Sequence, residues 1–175
     1  IENEPFLSHF GDCPKFDKKF LDQEIMLAKS LDARPIIITD SGELSFWVSA
    51  ARRANIFGTT MYRDTYSKFF QRYIHYPMAP GFFKFKKNLA GLFARPKDWL
   101  VIEMQAEPWG PAPYQNLSQI ERDRTMNLKK FKDMIEFGRQ TGFREFYLWG
   151  VEFWYWELSQ GRPEMWNYAK SLFTR

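Results

Sequence analysis

Three polar side chains follow one apolar run in the middle of the chain, and their types and spacing could support acid–base chemistry. Residues 98–110 read D-W-L-V-I-E-M-Q-A-E-P-W-G, so the apolar run at 99–102 is followed by Glu103, Gln105 and Glu107. Such a run is typical of a strand buried on both faces, as in a parallel sheet covered by helices. Because ligands bind at the carboxyl ends of parallel strands, we expect Glu103 to lie in an active site.

Carboxylates are the chemical groups that recur at the predicted strand ends. They are Glu4, Asp40, Glu43, Asp64, Glu103, Glu107 and Glu152. The chain has no Gly-rich phosphate-binding motif and no H-E-x-x-H. His9 and His75 are its only histidines, which argues against a histidine-based metal site or a Ser-His-Asp triad. The sequence therefore predicts carboxylate chemistry with no cofactor and no metal.

Composition limits the fold and the partners. A chain of 175 residues, 45% hydrophobic and 19% aromatic, can form one domain over residues 1–175 with a sizeable core. The net charge of +4 comes from basic residues that stand beside acids, so we expect solvated faces and no nucleic-acid partner. Cys13 is the only cysteine, which excludes an intrachain disulfide.

The ends and the hydropathy of the chain carry two further expectations. No apolar run is long enough to span a bilayer, and no signal pattern is present. The chain begins at Ile1 without a Met, so we expect it to be a fragment or a mature chain cut from a longer one. The compartment stays open, because many secreted proteins also lack disulfides.

Apolar patterns alternate between strand and helix along the chain. Strands are predicted at residues 36–39, 56–62, 99–103 and 143–150. Helices are predicted at 17–32, after Ser41, at 65–74, 81–94 and 117–140, and at the end up to about Phe173. Asp40 and Glu43 are interpreted as helix-start residues. The alternation predicts an α/β fold with a parallel sheet, either doubly wound or half of an eight-stranded barrel.

The predicted helices also have predicted apolar faces. The first carries Phe20, Leu21, Leu27, Ala28 and Leu31, and the helix at 81–94 carries Phe82, Phe85, Leu89, Leu92 and Phe93. Helical spacing places the members of each set on one side, so we expect these faces to pack against the sheet.

The triplet Asn3-Glu4-Pro5, followed by strand ends bearing Tyr62, Glu103 and Trp149 in that order, resembles the barrel glycoside hydrolases of clan A, of the cellulase and β-mannanase type. The resemblance implies a (β/α)8 TIM barrel, of which this chain supplies the end of strand 4 through helix 8. It covers nearly all of the chain but only half of the family's barrel.

The resemblance also implies roles for individual residues. Glu4 would be the acid/base and Glu103 the nucleophile of a retaining mechanism on β-linked sugars. Tyr62 would donate a hydrogen bond to Glu103, Asn3 would contact a sugar hydroxyl, and Trp149 would stack under the sugar. Glu152 could bind a sugar hydroxyl or pair with an Arg. Glu107 lies four residues after Glu103, so an extended chain would put both side chains on the same side, and Glu107 is the alternative nucleophile.

Strands one to three of the family's barrel have no counterpart in this sequence, which leaves a second function open. Half a barrel exposes two strand edges and an apolar face, so the partner would be an N-terminal half-barrel or a second copy of the chain. The expected ligand is an oligosaccharide or β-glycoside. If neither partner completes the barrel, we expect this chain alone to be inactive as a hydrolase. The alternative function is a non-catalytic sugar-binding or self-assembling half-barrel.

Overall fold

A four-stranded parallel sheet is the centre of the fold in the computed structural model, which describes residues 2–7 and 16–173. The described strands are β1 Ile37–Asp40, β2 Ile56–Met61, β3 Asp64–Ser67, β4 Arg72–His75, β5 Asp98–Gln105 and β6 Phe146–Trp149. The described α-helices are α1 Lys18–Leu31, α2 Val48–Ala51, α3 Pro80–Gly91, α4 Gln119–Thr125, α5 Leu128–Gln140, α6 Val151–Ser159 and α7 Glu164–Phe173.

The sheet has the order β1-β2-β5-β6, and each neighbouring pair is parallel. Helices follow or precede each of these strands, as the alternating pattern predicted. The α/β class and the parallel sheet are therefore confirmed. Since neighbouring parallel strands end at the same edge, Asp40, Met61, Gln105 and Trp149 lie along one mouth of the sheet.

One face of the sheet packs against the helices. Its core residues include Ile38, Phe57, Met61, Val101 and Met104, which lie in one buried cluster with side chains from α1, α2, α3 and α5. Side chains alternate along a strand, so the intervening residues of each strand lie on the other face. We call this second face the site face and define it by Thr39, Gly58, Thr60 and Glu103.

Register supports this definition of the site face. Thr39 pairs with Gly58, and Thr60 pairs with Glu103, so both pairs are lateral neighbours. A Cβ added to Gly58 would meet the Thr39 methyl at 3.3 Å and Ile102 at 3.2 Å, which places these side chains on one surface.

A bulge in β5 lies directly before the proposed nucleophile. Thr59 pairs with Val101, but the next residue, Thr60, pairs with Glu103, so Ile102 is an extra residue. The β5–β6 register shifts in the same place, between Val101 and Met104. Bulges redirect side chains and are common next to active sites.

The prediction of a helix at residues 65–74 is wrong. This segment forms the antiparallel hairpin of β3 and β4, in which Tyr66 pairs with Tyr73 and Thr65 with Ile74. Aromatic and β-branched residues favour paired strands, and the two Tyr rings meet edge to face at 5.2 Å. Gln71 has a φ of 51°, which suits the tight return of the chain.

The single helix predicted at 117–140 is two helices. Ser118 and Glu121 form a capping box at the start of α4, which ends at Thr125. Asn127 is extended and caps α5 by accepting a hydrogen bond from the Lys130 N–H. Two N-cap residues within ten positions define two starts, which the continuous apolar pattern concealed.

The predicted apolar faces of α1 and α3 are only partly right: Leu21, Ala28 and Phe82 pack in the core, and the other predicted members are exposed. In α1 the buried residues are Leu21 and Ile25, whereas Phe20, Leu27 and Leu31 are exposed. In α3 the buried residues are Phe83 and Ala90, whereas Phe85, Leu89, Leu92 and Phe93 are exposed. Each helix has apolar residues on two sides, and spacing alone does not identify the side that packs.

The N-E-P triplet lies in a turn, and no strand of the described residues contains it. Residues 2–7 form bends and a turn, in which the Leu7 N–H donates to the Glu4 carbonyl at 2.9 Å. Pro5 has no N–H to donate, so this segment cannot continue a regular ladder. Cys13, His9 and the loop predicted around Gly11 and Pro14 lie outside the described residues. No described helix is both long and apolar enough to cross a bilayer.

Gly42 is the position where the fold tolerates an added carbon atom least. A Cβ there would overlap the Thr60 carbonyl oxygen and meet the Phe83 ring at 2.9 Å. We expect Gly42→Ala to lower the free energy of unfolding by at least about 2 kcal/mol, because backbone must move. Urea unfolding measures this change. Gly91→Ala is the control, since a Cβ at Gly91 meets nothing within 4 Å, and equal midpoints for the two variants would contradict the prediction.

Candidate active site

Two threonine hydroxyls on the site face hold Glu4. The Glu4 backbone N–H donates to Thr39 Oγ1 at 2.8 Å, and Thr60 Oγ1 donates to Glu4 Oε1 at 3.0 Å. Thr39 Oγ1 in turn donates to Asn3 Oδ1 at 3.2 Å. The acid predicted from the N-E-P triplet is thus fixed at both its backbone and its carboxylate.

The backbone of Glu4 is in a sparsely populated conformation. Its φ is 45°, a value that non-glycine residues rarely adopt. Such residues persist where surrounding contacts enforce them, and they cluster at functional sites. The hydrogen bonds from Thr60 and to Thr39 are those contacts here.

Glu103 lies beside the same threonine that binds Glu4. Thr60 and Glu103 are register partners on neighbouring strands, so their side chains leave the sheet together. The Tyr62 hydroxyl donates to Glu103 Oε2 at 3.0 Å. The structure therefore brings Tyr62 together with Glu4 and Glu103, which are 99 positions apart in the sequence.

Burial and neighbouring charges raise the pKa values of Glu4 and Tyr62. Burial raises the pKa of Glu4 from 4.5 to about 7, helped by the charges of Glu103 and Asp40 and opposed by the Thr60 hydrogen bond. Burial, and then the charge of Glu103, raises the pKa of the Tyr62 hydroxyl, with smaller contributions from Glu107 and Glu4. Tyr62 consequently remains a hydrogen-bond donor at neutral pH.

Two buried titratable groups, Glu43 and Lys86, lie next to the site. Glu43 Oε1 accepts the Tyr62 backbone N–H at 2.8 Å, and burial raises the pKa of Glu43 to about 8. Lys86 Nζ, from α3, donates to the Gly42 carbonyl at 2.5 Å and lies 4.2 Å from the centre of the Trp47 ring. Burial lowers the pKa of Lys86 to about 8. Glu43 therefore positions Tyr62, and its interpretation as a helix-start residue is wrong.

Gln105 fixes the chain as it leaves β2. Its side-chain oxygen accepts the N–H groups of Arg63 and Asp64 at 3.0 and 3.1 Å, and its Nε2 donates to the Asp64 carbonyl at 2.6 Å. These three bonds tie the base of the β3–β4 hairpin to the end of β5. The apolar run predicted the position of Gln105 but not this role.

Glu107, Trp149 and Glu152 form a neighbouring group at the ends of β5 and β6. Trp149 Nε1 donates to Glu107 Oε1 at 2.9 Å, while the Trp149 side chain remains 48% exposed. Burial raises the pKa of Glu107, the Trp149 hydrogen bond opposes this shift, and the charge of Glu152 adds to it. Glu107 is thus engaged by Trp149, whereas Glu103 is engaged by Tyr62.

Trp109 is a site residue that the sequence analysis did not select. Its ring meets the Tyr62 ring edge to face at 5.2 Å, and its backbone N–H donates to Thr125 Oγ1 at 2.9 Å. Its Nε1–H is buried and has no acceptor among the described residues. Buried donors are nearly always paired, so this unpaired N–H is an exception in the fold. Its place after the A-E-P segment was the only available signal.

The described residues contain no group of three or more His, Cys, Asp or Glu side chains that could hold a metal ion. The carboxylates of the site are held instead by hydroxyl, indole and backbone N–H donors. No family model, curated protein or solved structure matches this chain.

Proposed function

We propose that the protein is a retaining glycoside hydrolase acting on β-linked sugars. The observation that carries this proposal is the chain of contacts from Glu4 through Thr60 to Glu103 and Tyr62. Retaining hydrolysis uses two carboxyl groups in different protonation states at one site. A half-buried Glu4 with a raised pKa, beside a Glu103 carboxylate that accepts a hydrogen bond from the Tyr62 phenol, supports this pairing.

In the first step, Glu103 attacks the anomeric carbon. A Glu103 oxygen forms a bond to that carbon as the bond to the leaving oxygen breaks, and protonated Glu4 gives its proton to the leaving oxygen. The Tyr62 hydroxyl holds Glu103 in line during the attack. The product is a glycosyl ester on Glu103 and a free alcohol.

In the second step, Glu4 acts as a base. It removes a proton from water, the water oxygen bonds to the anomeric carbon, and the ester bond to Glu103 breaks. Glu4 is then protonated and Glu103 is ionised, as at the start. The anomeric configuration is retained because the carbon has been attacked twice.

The aromatic residues supply the sugar contacts of the proposal. The exposed Trp149 ring can cover the C–H face of a pyranose, while Glu107 and Asn3 accept hydrogen bonds from its hydroxyls. The Trp109 ring packs edge to face against the Tyr62 ring. Glu152 contributes negative charge near Glu107.

The proposal extends to the barrel. We assign β1, β2, β5 and β6 to strands five to eight of a (β/α)8 barrel, with the N-E-P turn at the end of strand four. The parallel order of these strands supports this assignment, as do β1 and β6, which pair on one side only within the described residues. An N-terminal half-barrel, or a second copy of the chain, would complete the barrel.

A non-catalytic sugar-binding or self-assembling half-barrel is the second candidate function. It is favoured by the group of Glu107, Trp149 and Glu152, which offers a stacking ring and hydrogen-bond acceptors independently of Glu4. This candidate predicts saturable binding of an oligosaccharide without turnover.

A mechanism-based label distinguishes the two functions. A 2-deoxy-2-fluoro aryl β-glycoside slows release of the glycosyl ester, so the full-length protein should gain one sugar mass on a peptide that contains Glu103. Glu103→Gln should prevent labelling. Labelling of Glu107 would transfer the nucleophile role to that residue. If the wild type binds sugar but shows neither turnover nor labelling, the result would favour the non-catalytic function.

A further inference from the structure

Residues 65–97 are the most basic part of the chain. They contain none of the 21 acids, whereas seven of the 25 Lys and Arg residues fall here: Lys68, Arg72, Lys84, Lys86, Lys87, Arg95 and Lys97. The view that basic residues stand beside acids throughout is therefore wrong for this segment. An acid-free run of this length attracts anionic partners.

Helix α3 lies within this segment and presents an apolar surface to solvent. Phe85 and Leu89 on α3 and its C-cap residue Leu92 recur at helical spacing and are 63%, 43% and 75% exposed. Phe93, the next residue after the cap, is also exposed. We call these four residues the outer stripe. The helix packs on the core through its opposite side, at Phe83 and Ala90, so the fold does not require the outer stripe.

Two cations border the outer stripe without local partners. Lys84 and Arg95 are exposed, and neither forms an ion pair within the described part of the chain. Lys86 and Lys87, in contrast, lie over aromatic rings of the core. The outward side of α3 therefore combines bulky apolar groups with uncompensated positive charge.

The tip of the β3–β4 hairpin repeats this combination in the same segment. Phe69 and Phe70 are exposed, in edge-to-face contact at 5.0 Å, and Lys68 and Arg72 flank them. Arg72 lies over the Phe70 ring at 5.3 Å. Two separate elements of one acid-free segment thus expose large apolar side chains between cations.

We propose that the outer stripe of α3 binds the surface of an anionic lipid bilayer. A helix with this pattern lies in the plane of the interface, with its apolar side chains among the acyl chains and its cations at the headgroups. A nucleic acid would use the cations but would leave Leu89 and Leu92 in water. An apolar partner helix would cover the outer stripe, but it would not explain why residues 65–97 contain no Asp or Glu. This binding is independent of the proposed hydrolase activity.

Flotation with vesicles tests the proposal on the full chain. Vesicles with equal parts phosphatidylglycerol and phosphatidylcholine should bind the protein at low salt, and pure phosphatidylcholine vesicles should bind it far less. Lys84→Gln with Arg95→Gln should lower binding by roughly thirtyfold. Leu89→Ser with Leu92→Ser should lower it by at least roughly tenfold. These side chains are exposed or half-exposed, so the unfolding midpoint should fall only slightly, by the lower helix propensity of Ser.

Matched variants on other surfaces provide the controls. Lys129→Gln with Lys132→Gln, on exposed positions of α5, and Ile120→Ser, on α4, should leave vesicle binding unchanged. Binding that survives loss of both leucines would overturn the proposal and indicate a general polyanion surface. The proposal would also be overturned if the protein bound both vesicle types equally or bound neither. Self-association that the leucine variants abolish would overturn it as well.

Discussion

Glu103→Gln is expected to reduce hydrolysis of an aryl β-glycoside by the full-length protein at least about 10⁴-fold. The amide is close in size to the carboxylate and can still accept the Tyr62 hydrogen bond, but it cannot form the glycosyl ester. The measurement is kcat with a chromogenic substrate, together with the unfolding midpoint. We expect the fold and substrate binding to persist.

Glu107→Gln is the matched control for Glu103→Gln. Glu107 is also a carboxylate at the end of β5, but it accepts from Trp149 and not from Tyr62. We expect this variant mainly to raise KM. A variant of Glu103 that retains wild-type kcat, or a Glu107 variant that loses all activity while Glu103→Gln does not, would reverse the assignment.

Glu4→Gln is expected to slow hydrolysis of substrates with poor leaving groups by roughly 10²- to 10⁴-fold. Activated aryl glycosides need less protonation and should lose less in the first step. In the wild type, kcat/KM should fall as pH rises above about 7, because Glu4 must be protonated and its pKa is about 7. The variant should lack this limb of the pH profile.

Glu4→Gln should stabilise the fold at high pH although it lowers activity. The folded protein binds the Glu4 proton more tightly than the unfolded chain, so the free energy of unfolding falls as pH rises from 4.5 to about 7. Glu4→Gln removes this penalty. Its melting temperature should exceed that of the wild type at pH 8, and the difference should shrink toward pH 4. A constant difference across this range would show that Glu4 titrates normally.

The parallel sheet was predictable, because short apolar runs alternate with longer periodic segments. Glu103 could be selected because an acid directly after an apolar run needs a partner or a purpose. The predicted end of this strand at Glu103 is wrong, since β5 continues to Gln105. The hydrogen bond from Tyr62 to Glu103 was also predicted, from the resemblance to clan A. Both depend on local sequence and strand order.

Contacts that depend on register could not be predicted. Thr60 is an ordinary strand residue in sequence, and only its pairing with Glu103 and its bond to Glu4 give it a place in the site. Trp109 acquires its role from contact with Tyr62. The packed side of α3 was misjudged because Phe83 and Ala90 compete with a second apolar stripe.

The extra residue in β5 decides which way the end of that strand faces. With a regular ladder, Glu103 would stand opposite Met61, and its carboxylate would point into the apolar cluster. Met104 would then turn to the side that now holds Glu4. The extra residue Ile102 thus reverses the alternation of side chains between the two faces once. The same strand can therefore pack against helices through Val101 and Met104 and still present the Glu103 carboxyl group on the site face.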